Sequence, residues 1–389
     1  MHQTNFNRIV LMANDVDRLG GVGRFMERMA VEFFERGFQV ELVGVTPPPP
    51  SEKQIVERPS AILVRELWSE VAPENWTLKR RRDRLNPMRR KRFEKRRQLR
   101  KSAVNRLKIL LEMWGPDTLI ICTQVFGMEH LKEAGYDASN PQMPRIIGQY
   151  HGSYSMCVET RDLNRVVRGY SEVDKFVCLN AEDARLFRAA SLNNATWIAN
   201  PVETPSAEPS KRENVFVALG RYDKQKSLDY FLRAWALIAN ELPDWRIELY
   251  GEGNLRSDLE KLISDEGIVR ASLMGKTNEV GSVLSRSKVH VLSSQYEGLP
   301  IAIVEAALLG VPTVAFDCAP GIADLIEDGV SGTIVPQNNI EKLALAMSAL
   351  ANDKQKLDAM SGASIAYAQR FSPDVIVEQW VELLQDMSR

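Results

Sequence analysis

The sequence predicts an α/β protein built from two doubly wound parallel sheets. Three observations carry this. Short apolar runs rich in Val, Ile and Leu recur along the chain, and each is followed by a turn and then a stretch of helical periodicity. A Pro-, Ser- and charge-rich segment, "WIANPVETPSAEPSKREN", divides these units into two series near residues 200–213. The strands are continuous apolar runs rather than alternating ones, as expected when helices cover both faces of a parallel sheet.

The first series opens with "RIVLMAND", a helix over 22–36 and "QVELVGV". "PPPP" at 47–50 ends that strand, since proline neither donates to a ladder nor continues a helix. "AILVREL" resumes a strand. A basic stretch over 79–101, broken by Asn86-Pro87, passes into a helix with Ala103, Leu107 and Leu110 on one face. "DTLIICTQ", "RIIGQYHG" and "KFVCLN" are three further strands. The second series supplies "VFVALGR", "RIELYGEG", "ASLMGK", "VHVLSS", "PTVAFD" and "GTIVP", with helices over 228–239 and 301–309 among them. "FSPDVIVEQWVELLQDM" closes the chain as an amphipathic helix with Val375, Val377, Trp380, Leu383 and Leu384 available for packing. The expected domains are Rossmann-like: 1–200, completed by the closing helix at about 373–389, and 201–372. They are expected to face each other across a cleft, with a ligand at the carboxyl ends of the strands.

Composition, at 44% hydrophobic and 26% charged, is that of a globular protein and argues against extensive disorder. No apolar run reaches membrane-span length, and the opening "MHQTNFNRIVLMAND" has neither a basic n-region nor a long h-region, which disfavours export. Cys122, Cys157, Cys178 and Cys318 are far apart, and most sit in apolar runs, the pattern of reduced thiols in a cytoplasmic protein. Neither these nor His2, His130, His151 and His290 show metal-ligand spacing, so no metal or cofactor is expected. The net charge of −1 hides an asymmetry. Residues 79–101 hold 14 Lys/Arg against two acids, leaving 36 basic and 49 acidic residues elsewhere, a balance of −13.

Four motifs fall at expected strand ends. In "SSQYEGLPIAIVEAALLG", Glu297 and Glu305 flank the helix-opening Leu299-Pro300; a helix N-terminus there suits a diphosphate, and two carboxylates can accept bonds from sugar hydroxyls. In "LGRYDKQKSLDYFLRAW", Arg221 and Lys226 could stabilise the charge that grows on a departing nucleoside diphosphate. "NDVDRLGGVGRF" places Gly20 and Gly21 where backbone can approach a phosphate closely. It lacks G-x-G-x-x-G order, with Met26 in the third glycine's place; "GEGNLR" fails likewise, so a dinucleotide cofactor is disfavoured. Asp15-Val16-Asp17 could be a metal-binding triplet, a minor reading. His151 in "GQYHGSY" ends a strand of the first series.

Taken together, "GGVGRFMERMAVEFFERGFQVELV", "GRYDKQKSLDYFLRAW", "YGEGNLRSDLE", "YEGLPIAIVEAALLGVPTVAFD" and "GVSGTIVP" resemble the retaining, metal-independent glycosyltransferases of family 4, with their two-domain GT-B architecture. That resemblance implies that Glu297 contacts the donor sugar and Glu305 the ribose. Arg221 and Lys226 would bind the diphosphate, Gly21 with Gly20 would approach phosphates and acceptor, and His151 would serve the acceptor side. The implied donor set extends to Gly220, Gly275, Gly298, Leu299 and Pro300, and the implied catalytic set is Arg221, Lys226, Glu297 and His151. "IIGQYHGSY" looks most like members acting on teichoic-acid-type polymers. The implied activity is hexosyl transfer from a UDP-sugar to a cell-envelope glycan, teichoic-acid-type polymer or lipid-linked acceptor. Two departures stand out: Asn180 where many members have Ser or Thr, and the basic stretch itself, which is not general to the family.

Within that stretch Arg89, Arg90, Lys91, Arg92, Lys95, Arg96 and Arg97 are candidates for an anionic acceptor or the anionic surface of the inner membrane leaflet, to which the chain would attach peripherally. Nucleic acid is disfavoured, because no aromatic-interleaved basic motif or helix-turn-helix is present. The alternatives are a non-hydrolysing sugar-nucleotide epimerase of the same architecture and a non-enzymatic polyanion-binding protein.

Overall fold

The computed structural model describes residues 4–18, 20–74, 78, 81–208 and 210–388. His2 and two cations of the basic stretch, at 79 and 80, lie outside them, as does the last position of the closing helix. The chain divides into two compact units, residues 1–198 with 377–389, and residues 199–376.

The first unit has strands β1 (Arg8–Ala13), β2 (Gln39–Gly44), β3 (Leu63–Glu66), β4 (Thr118–Cys122), β5 (Arg145–Gln149), β6 (Lys175–Cys178) and β7 (Ala195–Trp197). Its helices are α1 (Gly21–Glu35), α2 (Arg81–Leu85), α3 (Pro87–Met113), α4 (Val125–Glu133), α5 (Tyr154–Glu159), α6 (Leu163–Tyr170) and α7 (Ala181–Ala189). All pairings are parallel, in the order β3-β2-β1-β4-β5-β6-β7. β1 and β4 are buried along almost their whole length, which explains why their sequences read as unbroken apolar runs.

The basic stretch is helical earlier than its composition suggests. Asn86 caps α3 by accepting from Arg89 N at 3.1 Å, and Pro87 takes the first turn, where its missing N–H costs nothing. Leu99, Ala103, Leu107, Leu110 and Leu111 bury the inner face of α3.

The second unit contains β8 (Val215–Leu219), β9 (Arg246–Tyr250), β10 (Ala271–Gly275), β11 (Val289–Leu292), β12 (Thr313–Phe316) and β13 (Gly332–Val335). They form a parallel sheet in the order β10-β9-β8-β11-β12-β13. Its helices are α8 (Leu228–Ile238), α9 (Arg256–Asp265), α10 (Val280–Arg286), α11 (Ile301–Leu308), α12 (Ile322–Leu325), α13 (Ile340–Asn352) and α14 (Lys354–Ala368). The last helix, α15 (Pro373–Ser388), starts here and from Val377 belongs to the first unit, where Trp380 is fully buried with its ring 6.1 Å from that of Phe25. Both expected Rossmann-like sheets are therefore present. Among the described residues no helix is long and apolar enough to cross a membrane.

Candidate functional site

In a doubly wound sheet, helices leave for opposite faces where the strand order reverses, and the loops after those two strands part to form a crevice. In the second unit that point lies between β8 and β11. Gly220, Arg221 and Lys226 follow β8, and the segment from Ser293 to Pro300 follows β11.

The two loops are stitched together by bonds to main-chain carbonyls. Gln295 N donates to Gln225 O at 2.8 Å, Gln225 Nε2 donates to Tyr296 O at 3.1 Å, and Ser293 Oγ donates to Lys226 O at 3.1 Å. Lys226 N in turn donates to Asp223 Oδ1 at 3.1 Å. Backbone held in this way fixes the Lys226 side chain, whose Nζ donates to Glu297 Oε1 at 2.6 Å. Ser294 Oγ donates to that same oxygen at 2.6 Å, so Oε2 is committed by neither bond. Glu297 is only 7% exposed, and both a cation and a hydroxyl serve its buried carboxyl group. Arg221, by contrast, is largely exposed, pairing with Asp223 at 3.1 Å and bonding Gln225 Oε1 at 3.3 Å.

Glycines form the ground beneath these groups. A Cβ on Gly220 would stand 3.0 Å from Lys226 Cε and 3.1 Å from its Cδ. A Cβ on Gly251, which has φ of 150°, would fall 1.8 Å from Gly220 O. Gly251 N also donates to Gly275 O at 2.9 Å, so glycines stand at the carboxyl ends of β8, β9 and β10. His290, inside β11, contacts Thr313 Oγ1 at 3.0 Å. Burial, reinforced by the Lys226 charge, pushes its pKa down to about 3, so it stays neutral under the cation.

The first unit reverses between β1 and β4. A cavity of about 340 Å³ opens there, lined by Asn14, Thr123, Gln124, Tyr150, His151 and Arg165 among others. Gln124 Oε1 accepts from Asn14 N at 2.7 Å, tying the two strand ends together. His151 lies just beyond β5 with its ring edge-on to Phe25 at 5.1 Å, and burial pushes its pKa down to about 4. It therefore enters any chemistry at neutral pH as a hydrogen-bonding imidazole and not as a cation. Gly20 caps α1 in a conformation with φ of 142°, and Gly21 is the first helical residue.

Residues 202–366 match the glycosyl transferases group 1 family. The chain carries a glycosyltransferase group 1 domain. It is 31% identical over 57% of its length to an uncharacterized glycosyltransferase of Haemophilus influenzae, covering 65% of that protein. It is 27% identical over 44% of its length to the poly(glycerol-phosphate) alpha-glucosyltransferase of Bacillus subtilis, covering 26% of it. The chain thus spans less than two thirds of the length of these curated relatives. The crystal structure of Anabaena HepE in complex with UDP-glucose superposes with a TM-score of 0.73 over 97% of this chain and 99% of that one, at 16% identity, and so shares the GT-B fold.

The group 1 domain gathers most of the expected donor residues at the carboxyl side of one sheet. Gly220, Arg221 and Lys226 follow β8, Gly275 ends β10, and Glu297, Gly298 and Leu299 lead into α11. Pro300 differs slightly from expectation: with ψ of 91° it is the cap before α11 rather than its first turn. Glu305 lies half-buried within α11.

Elsewhere, candidate residues prove to be occupied. Asp15 pairs with Arg18 at 3.1 Å and Asp17 with Arg58, so both acids of the D-x-D triplet serve ion pairs. Asn180 is buried as the cap of α7, accepting from Asp183 N at 2.8 Å and donating to Asp183 Oδ2 at 2.7 Å. Of the basic candidates, Arg89 pairs with Asp83 at 2.6 Å, and Arg96 is turned inward with its guanidinium 5.0 Å from the Trp68 ring centre. Lys95 pairs with Glu70 at 2.5 Å and Arg97 with Glu94 at 3.8 Å, while Arg90, Lys91 and Arg92 have no ion pair among the described residues. Sequence reasoning missed Ser294, Gln225 and Gly251 in one unit and Gln124 and Asn14 in the other. Ser294, three residues before Glu297 at a strand end, had a readable spacing; Gln124 had none, because its partner is 110 residues away.

Proposed function

We propose that this chain transfers a hexosyl unit, with retention and without a divalent ion, from a UDP-sugar to a cell-envelope acceptor rich in hydroxyls or phosphates. The observation that carries the reading is the Lys226–Glu297–Ser294 constellation over a glycine surface at the β8/β11 reversal. A carboxylate buried beside a cation suits a ligand that presents sugar hydroxyls to the one and phosphate oxygens to the other. Arg221 and Lys226 would take up the charge that develops on the departing diphosphate, work that a metal ion performs in other enzymes.

The donor assignment is supported by UDP-glucose in the similarly folded HepE, and the acceptor assignment by the Bacillus relative's poly(glycerol-phosphate). In the first unit, the cavity holding Gln124, His151 and Arg165 offers hydrogen-bond partners to such an acceptor. Four free, buried cysteines fit a cytoplasmic setting, where nucleotide sugars are made.

The test is incubation with UDP-glucose or UDP-N-acetylglucosamine and a glycerol-phosphate oligomer, with and without EDTA, followed by mass spectrometry and determination of the anomeric configuration. A metal-independent, α-linked glycosylated oligomer is expected. Abolition by EDTA, a β-linked product, or sugar-nucleotide isomerisation without transfer would overturn the reading.

A further inference from the structure

The cations of α3 divide into two sets by direction. At 100° per residue, Arg89, Arg92, Arg96 and Arg100 fall on the side of Leu99, Ala103 and Leu107. Arg89 is used by Asp83; Arg100 pairs with Glu133 at 2.6 Å, and Arg96 and Arg100 both stand over the Phe126 ring, at 5.9 and 5.8 Å. Arg89 thus ties α3 to α2, and Arg96 and Arg100 hold it against α4. Arg90, Arg97, Lys101 and Lys108 form a line within about 40° on the opposite side, Lys91 lies about 100° round from Arg90, and all five are exposed.

The amino end of this line is apolar as well as basic. Leu85 is 82% and Met88 66% exposed, and they flank the Asn86-Pro87 corner between Arg84 and Arg90. The corner is fixed by the Asn86 cap and the Arg89–Asp83 pair, so these two side chains are presented on rigid backbone. Elsewhere the chain carries a net charge of −13, which leaves the patch as a local reversal of sign. A water-soluble polyanion would reward the cations but gains nothing from Leu85 and Met88. A lipid bilayer rewards both, because the apolar pair can enter the headgroup boundary while the cations meet phosphates.

We propose that the α2–α3 corner, with Leu85 and Met88 inserted and Arg84, Arg90, Lys91 and Arg97 around them, is a docking surface for an anionic lipid bilayer. It belongs to the first unit and not to the group 1 domain, and the proposal holds whatever that domain's substrate is. Such docking concentrates the chain where an acceptor anchored in the bilayer would be found.

The test is sedimentation of the full chain with vesicles of phosphatidylcholine alone or with 30% phosphatidylglycerol, at low and high salt. Binding should need the anionic lipid and weaken with salt. Arg90→Glu/Lys91→Glu should lower partitioning by about tenfold or more, each surface cation contributing about fivefold. Leu85→Ser/Met88→Ser should also lower it by about tenfold at unchanged charge, while leaving retention on immobilised polyphosphate as it was. Both pairs are exposed, and an unchanged melting temperature verifies the fold. Equal binding to neutral vesicles, no binding to anionic ones, or full binding by the Leu85/Met88 variant each overturns the proposal; the last assigns the patch to a soluble polyanion.

Discussion

Lys226 Nζ and Glu297 Oε1 meet at 2.6 Å, joining the loop after β8 to the loop after β11. On the proposed function, this contact should give the two residues opposite effects on a bound nucleotide. Lys226→Ala would remove a cation from the proposed diphosphate site and should weaken UDP binding and lower kcat by at least about tenfold, roughly 1.4 kcal/mol of transition-state stabilisation. Glu297→Gln keeps a hydrogen-bond acceptor but releases Lys226 from its counter-charge, so UDP should bind as well or more tightly while transfer falls. Calorimetry with UDP beside turnover measurements separates the two; equal weakening of UDP by both variants would sink the assignment.

Arg221 differs from Lys226 in being exposed and held only by Asp223 and Gln225. Nothing in the fold rests on it. Arg221→Ala should leave the melting temperature unchanged and lower kcat by about tenfold at saturating donor. Unaltered turnover would place it outside the reaction.

Ser294 is a positioning residue, since its hydroxyl acts through Glu297 Oε1. Ser294→Ala should cost about 1 kcal/mol of carboxylate placement, near fivefold in kcat/KM, without loss of fold. Ser294→Thr, which keeps the hydroxyl, should recover most of it. A threonine as damaging as alanine would mean that side-chain volume, not the hydrogen bond, is what matters there.

The strands were legible in the sequence because each is buried on both faces, and unbroken runs such as "RIVLMA" and "TLIIC" admit few other readings. β7, three residues long, and the short α5 and α12 carry too few periods to be seen. Lys226 and Glu297 could be nominated from strand-end position, but their direct pairing could not, since 71 residues separate them and only the β8/β11 adjacency brings them together. The basic stretch misled in one respect. Composition treats Arg89 and Arg96 like Arg90, whereas helical phase turns the first two toward Asp83 and Trp68.

Gly251 opens "GEGNLR", which lacks the dinucleotide-binding pattern, yet its backbone tolerates no side chain. At φ of 150° and with Gly220 O 1.8 Å from where a Cβ would stand, Gly251→Ala must displace the end of β8. A cost of about 1–3 kcal/mol is expected, and several degrees of melting temperature with it. Donor affinity should fall in the same variant, because Arg221 and Lys226 ride on that strand end. A variant that melts as the wild type does would show that the backbone gives way freely at this point.

Two histidines set an acid limit on the fold. Burial lowers His151 to about 4, and burial with the Lys226 charge lowers His290 to about 3, against 6.5 for the ordinary side chain. Between 6.5 and those values the unfolded chain takes up protons that the folded chain refuses, so stability is full above about pH 6.5 and declines as pH falls toward 4. Denaturant titrations across this window should show His290→Asn losing less stability on acidification than the wild type, since Asn cannot charge beneath Lys226. If both proteins follow the same curve, the acid sensitivity comes from the paired carboxylates and not from this site.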